Sequence, residues 1–474
     1  MATRHSPADA SAKTGDLSTS PRVVWSLTWP QMLMMYLMFF MGFMAVWVAG
    51  RISADTQAAL GMVNQCSTFL MVVAMALSSG AMAAVSQSLG ARRRDRARRY
   101  VAATVIGCFT LGLGVAFAGW LWHDAILRLL RVPESIFPQS REMWRASMLA
   151  LPAQYLYAAT GMMFRATRQV LPALAVAMLV CCVNLVLCLG LGLGWMGLPD
   201  CGYMGLIWAM VGSVALGALC NCILLNRTGY LSGSALPTRR WLKAGLPYLM
   251  KVALPAGAAQ LVWHSGYLTL FALVASLPHD KVNALAGLTA GMRVEALLFL
   301  PGMAFNMSVA VLVGNSLGAG KPAQAKRVGL NMVWVASLMM SVVAACLWPF
   351  RQTLAAMLAS DAGAQMQIVN YLNYNLLSTP FSIASTVMGG IMVGAGATRY
   401  NLFIYGGTFW LLRLPLGWLL GHRLWGTADG VFLAMLASQA VQTSIMLYVL
   451  LRRNWTRFAM RVSPSAQRAG VEKT

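Results

Sequence analysis

Acidic side chains are scarce in this sequence: 13 Asp and Glu among 474 residues, against 36 Lys and Arg, so that only 10% of the chain is charged while 58% is apolar. An average soluble protein is about 25% charged. So few hydrated groups cannot cover a globule of this size, which excludes a soluble protein, whereas a bilayer demands no such cover. Metal-ligand patterns are also missing. The nine cysteines (Cys66, Cys108, Cys181, Cys182, Cys188, Cys201, Cys220, Cys222 and Cys346) have no ligand spacing, and eight fall in apolar segments as small hydrophobes, so neither a disulfide framework nor a metal or other cofactor is implied. No segment between apolar runs is long enough to fold as a basic domain, so the net charge of +23 does not imply a nucleic-acid partner. Residues 1–24 lack the apolar core and cleavage site of a signal peptide and are expected to remain as a disordered cytoplasmic terminus.

What the sequence has in abundance is apolar runs long enough to span a membrane. Twelve are found, at 25–49, 56–88, 101–122, 146–164, 172–196, 203–225, 252–277, 283–316, 329–349, 371–394, 401–421 and 428–450. An even number places both termini on one side. The tails and the even-numbered loops together hold 26 of the 36 Lys and Arg and the other loops 8, with Arg293 and Arg413 inside spans, so the positive-inside rule puts both termini in the cytoplasm. The cluster Arg92, Arg93, Arg94, Arg96, Arg98 and Arg99 reads as an anchor on anionic headgroups.

Landmarks recur in order along the two halves. Ser86-Gln-Ser-Leu-Gly-Ala91 is answered by Gly314-Asn-Ser-Leu-Gly-Ala319, Pro30 by Pro255, Ala166-Thr-Arg168 by Ala397-Thr-Arg399, and Gly202-Tyr-Met-Gly205 more loosely by Gly426 to Gly430. The near-constant offset implies two six-span units, and an even number of spans per unit gives both the same orientation. The expected fold is therefore an all-α polytopic membrane protein: twelve transmembrane helices in two parallel six-helix repeats, with a pseudo-two-fold axis along the membrane normal. Its parts are the terminus 1–24, an N-terminal lobe 25–226, a cytoplasmic linker 227–251, a C-terminal lobe 252–451 and a basic tail 452–474.

These motifs, with Val313 to Arg327, Gly394-Ala-Gly-Ala-Thr-Arg399, Leu412-Arg-Leu-Pro-Leu416 and Pro30, resemble those of the multidrug and toxic compound extrusion (MATE) transporters over nearly the whole chain after residue 24. The resemblance implies a two-lobed exporter with a central cavity and no enzyme activity, moving amphipathic, often cationic compounds in exchange for H+ or Na+. Acids common in relatives are replaced: Ala45 stands late in span one, Cys188 one turn after Asn184 in span five, and Ala397 in the span-ten motif. The chain is expected in a bacterial inner (plasma) membrane, acting as a monomer with small amphipathic substrates and lipids as its partners.

Of the 13 acids only Glu295 lies deep in a span. An ionised carboxylate there costs about 2.5–3.5 kcal/mol unless paired or hydrated, so it is held neutral by a proton or charged by a partner, which is the two-state behaviour an ion-coupled antiporter needs. Arg293 lies two positions away and therefore on the opposite helix face, so Glu295 needs a partner from another helix. His264 in span seven is a candidate partner or second titrating group, and Asn184, at a position the family uses, a third coupling residue. Arg413 reads as a structural cation. The uncharged polar residues Gln31, Asn64, Gln65, Gln154, Asn184, Gln260, Asn306 and Asn375, placed within spans, are expected to line the cavity or bridge helices. Tyr36, Tyr155, Tyr157 and Trp263 offer aromatic faces, and 33 methionines, clustered at Met32, Met34, Met35, Met38 and Met41, an adaptable wall. The alternatives are a lipid-linked oligosaccharide flippase or polysaccharide exporter, which favours more cavity cations, and a major-facilitator porter, whose loop motif is matched only in part. An intramembrane enzyme would need more than one Glu and one His at depth.

Overall fold

The computed structural model describes residues 21–130, 132–232 and 236–460; most of the expected terminus 1–24 and of the tail 452–474 lies outside the described residues. Twelve long helices run back and forth: α1 Pro21–Ile52, α2 Ala54–Gly90, α3 Arg94–Leu121, α4 Phe137–Ala166, α5 Val170–Leu193, α6 Gly202–Arg227, α7 Arg239–Ala275, α8 Lys281–Gly318, α9 Pro322–Leu347, α10 Ala362–Ala395, α11 Thr398–Leu424 and α12 Ala428–Arg452. Short helices follow α3 (His123–Leu129) and α9 (Arg351–Leu358), and no strand occurs among the described residues. Eleven of the twelve are long and apolar enough to cross a membrane. The exception, α4, carries Gln154, Tyr155, Tyr157 and Thr160 and packs on α2, α3 and α6, so protein rather than lipid surrounds much of it.

Most helices begin ahead of the hydropathy limits, α7 by the most. Helix α7 begins at Arg239, inside the segment read as linker, because the Thr238 hydroxyl accepts the Trp241 N–H at 3.3 Å and caps it.

The two lobes pack alike. In the N lobe α1 meets α5, α2 meets α4, α3 meets α4, and α5 meets α6; in the C lobe α7 meets α11, α8 meets α10, α9 meets α10, and α11 meets α12. Helix prolines repeat as well, Pro30 with Pro255 and Pro152 with Pro380. Between lobes, α1 lies on α8 and α2 on α7, pairs that a two-fold exchange converts into each other, and α2 crosses α8 on the axis.

At that crossing the repeated motif meets its own copy. A Cβ on Gly90 would lie 2.0 Å from the Asn315 carbonyl oxygen, and one on Gly318 would lie 2.0 Å from that of Gln87, so each glycine admits the other lobe's backbone. The buried Gln87 side chain ties this seam together: its Nε2 donates to the Gly394 carbonyl at 2.8 Å, and its Oε1 accepts from the Tyr248 hydroxyl at 3.1 Å and from the Met460 N–H at 2.8 Å. The segment after α12 enters the same seam, with Phe458 against Tyr400 and Met460 beside Arg96 and Tyr100. The lobes are thus closed at the arginine-rich end.

Candidate coupling site

Small residues on one face of α8 bring α10 close enough to build a polar pocket inside the C lobe. A Cβ on Gly287 would sit 2.6 Å from that of Gln367, and one on Gly291 would sit 2.1 Å from the Tyr371 ring. With the ring seated against α8, the Tyr371 hydroxyl donates to Oε2 of the half-buried Glu295, one turn beyond Gly291. Asn375, one turn after Tyr371 on α10, and Tyr267 of α7 line the same pocket.

Arg413 forms the opposite wall. It closes a π-helical turn, Thr408–Arg413, just ahead of Pro415, whose missing N–H interrupts the ordinary helical ladder. Although 2% exposed, Arg413 has no ion-pair partner among the described residues: its Nε donates to the Ser438 hydroxyl at 2.8 Å, and its guanidinium lies 4.5 Å from the Phe409 ring centroid and 6.0 Å from that of Trp263. One negative and one positive side chain therefore share a pocket without neutralising each other directly, amid the hydroxyl and amide groups of Ser378, Ser382 and Gln439. A group that binds a proton or small cation at Glu295 changes the net charge of a space walled by α7, α8, α10, α11 and α12.

The N lobe has a neutral version. Asn184 of α5 donates to the Ser213 hydroxyl of α6 at 3.1 Å, matching Arg413 and Ser438 in the C lobe at offsets of 229 and 225 residues. Ser67 stands 228 positions before Glu295. Asn184 thus occupies the place of an arginine rather than of an acid.

The other expected residues divide by location. Asn375 joins Glu295, but His264 does not: its ring packs on Phe69 of α2, centroids 5.6 Å apart, and it forms no ion pair with Glu295. Gln31 is buried between lobes, donating to the Leu27 carbonyl and the Ser308 hydroxyl, each at 2.9 Å. Tyr155 donates to the Leu70 carbonyl at 2.5 Å, Asn306 to that of Thr386 at 2.6 Å, and Gln154 to Met210 Sδ at 3.5 Å, so these three bridge helices. Tyr36, Asn64, Gln65 and Gln260 are exposed, and half-buried Trp263 packs on Tyr267 and Phe409. Tyr371 and Tyr267 were not singled out by the sequence, although the four-residue spacing from Tyr371 to Asn375 put both on one face of α10.

Known proteins are similar to this chain over most of its length. Protein DETOXIFICATION 39 of Arabidopsis thaliana is 24% identical over 92% of this chain and 85% of its own. Multidrug resistance protein PmpM of Pseudomonas aeruginosa is 26% identical over 91% of each chain. The crystal structure of the Vibrio cholerae MATE transporter VcmN in the bent form has a TM-score of 0.85 at 17% identity, covering 94% of this chain and 100% of that one. The family model MatE matches twice, at residues 30–189 and 255–419, once in each structural repeat. The chain therefore belongs to the MatE family and is a multi-pass membrane transporter of the multidrug and toxic compound efflux class, not an enzyme.

Proposed function

We propose that this transporter is a secondary active antiporter in which Glu295 takes up a coupling H+ or Na+ as an amphipathic substrate leaves. The observation that carries this reading is the placement of the one acid deep in a span: Glu295 faces the pocket inside the C lobe, held by Tyr371 and facing Arg413. With Glu295 ionised, the pocket holds one charge of each sign; with it loaded, only the Arg413 charge remains. The five helices that wall the pocket feel this change, and three of them, α7, α8 and α10, also meet the N lobe. Charge in the pocket can thus bias which end of the cleft is closed, and an ion gradient across the membrane supplies the direction. The preponderance of Lys and Arg at the closed end supports placing that end and both termini in the cytoplasm, so that the described state opens outward.

The test is efflux from proteoliposomes under an imposed pH or sodium gradient. Glu295→Gln is expected to lower gradient-driven efflux by about tenfold or more. Full gradient-driven efflux by that variant would refute the assignment, and the gradient that drives the native chain identifies the ion.

A further inference from the structure

We infer that the cleft between the lobes receives an anionic group of the substrate, and that Arg293 binds it; this deepens the exporter reading above and rests on it. Arg293 precedes Asn315 on α8 by 22 residues, which at ~100° per residue places the two about 40° apart around the helix. Asn315 and Ser308 belong to the face of α8 that meets the N lobe, through Gly90 and through Thr28 and Gln31. Arg293 thus shares the N-lobe-facing side of α8 and points away from the Glu295 pocket. Its mate at the motif offset of 228 is Gln65 of α2.

Near the seam this face is buried on both helices, at Gln87, Ser308 and Asn315, whereas at the level of Gln65 and Arg293 it is exposed on both. The lobes have parted there, and Gln65 and Arg293 flank the opening. Arg293 has no ion-pair or hydrogen-bond partner among the described residues. An unpaired arginine turned to acyl chains costs about 2.5–3.5 kcal/mol or more, a cost that a hydrated cleft removes. Nearby exposed groups on these helices, Asn64 and Thr68 of α2 and Thr289 of α8, carry no charge, and the deep carboxylate is turned into the C lobe. The potential in the cleft is therefore positive, which opposes an organic cation. A carboxylate, sulfonate or phosphate finds a guanidinium whose donors match its oxygens. On this reading the amphipathic substrates are anions or zwitterions, where the family resemblance implies cations.

The experiment measures binding to the full chain in nanodiscs without any gradient, using two dyes on the same xanthene scaffold, anionic carboxyfluorescein and a cationic rhodamine ester. Native protein is expected to bind the anion more tightly. R293Q should weaken that binding by about tenfold or more, R293K should retain part of it, and moving the charge across the axis in the double variant Q65R/R293Q should restore it. Tighter binding of the cation by native protein overturns the proposal, as does unchanged anion binding in R293Q. Failure of Q65R/R293Q to restore binding overturns it too, because a lipid-facing or purely structural Arg293 gives that result. Since no ion gradient is present, a wrong coupling residue leaves this result intact and is detected only in the efflux assay.

Discussion

At the scale of single residues, rarity made Glu295 legible and ordinariness hid Tyr371. A carboxylate in an apolar run stands out because its burial is costly, whereas a tyrosine has an apolar body that reads as packing until its hydroxyl is seen to donate to something. Hydrogen bonds to charged groups contribute about 1.5–3 kcal/mol, so Tyr371→Phe is expected to lower gradient-driven efflux by about tenfold while leaving dye binding in the cleft unchanged. The double variant Glu295→Gln/Tyr371→Phe should be no worse than Glu295→Gln alone, because the hydroxyl acts through the carboxylate. Additive losses would show that Tyr371 acts elsewhere. His264 can titrate near neutral pH, but its place in the sequence does not tell a residue facing Phe69 from one facing Glu295.

At the scale of elements, the apolar runs disclosed the helices, because lipid imposes one length on all of them. Local chemistry that hydropathy does not sense set the rest, as in the Thr238 cap and the π-helical turn that carries Arg413. The glycines of α8 are a further case. At Gly291 the Tyr371 ring of α10 lies against α8, and a methyl group there would collide with it. Gly291→Ala is expected to cost about 1–3 kcal/mol, read as a lower unfolding temperature in detergent, and to reduce coupled efflux by displacing Tyr371 from Glu295. Gly61 on α2 has open space around its Cβ direction, and Gly61→Ala should leave the unfolding temperature unchanged or slightly higher. Equal losses in both variants would mean that close packing of α8 on α10 is not what the glycine provides.

At the scale of the whole molecule, the duplication was legible as repeated words in the sequence, but not that the two copies of the word touch. Offsets give an axis; they do not say which surfaces lie on it. Gly90 and Gly318 lie on it, each against the backbone of the other lobe. Gly318→Val should hold the lobes apart at the arginine-rich end. Hydrogen exchange should then rise together over the ends of α2 and α8 and over 455–460, with a rise confined to α8 counting against a shared seam. Three of the hydrogen bonds across this region converge on the carboxamide of Gln87, from α7, α10 and the segment after α12. A partial separation of the lobes would strand at least one of its buried atoms without a partner. The door at the arginine-rich end therefore has a threshold: it stays shut against small excursions and, once the amide lets go of all three, swings freely.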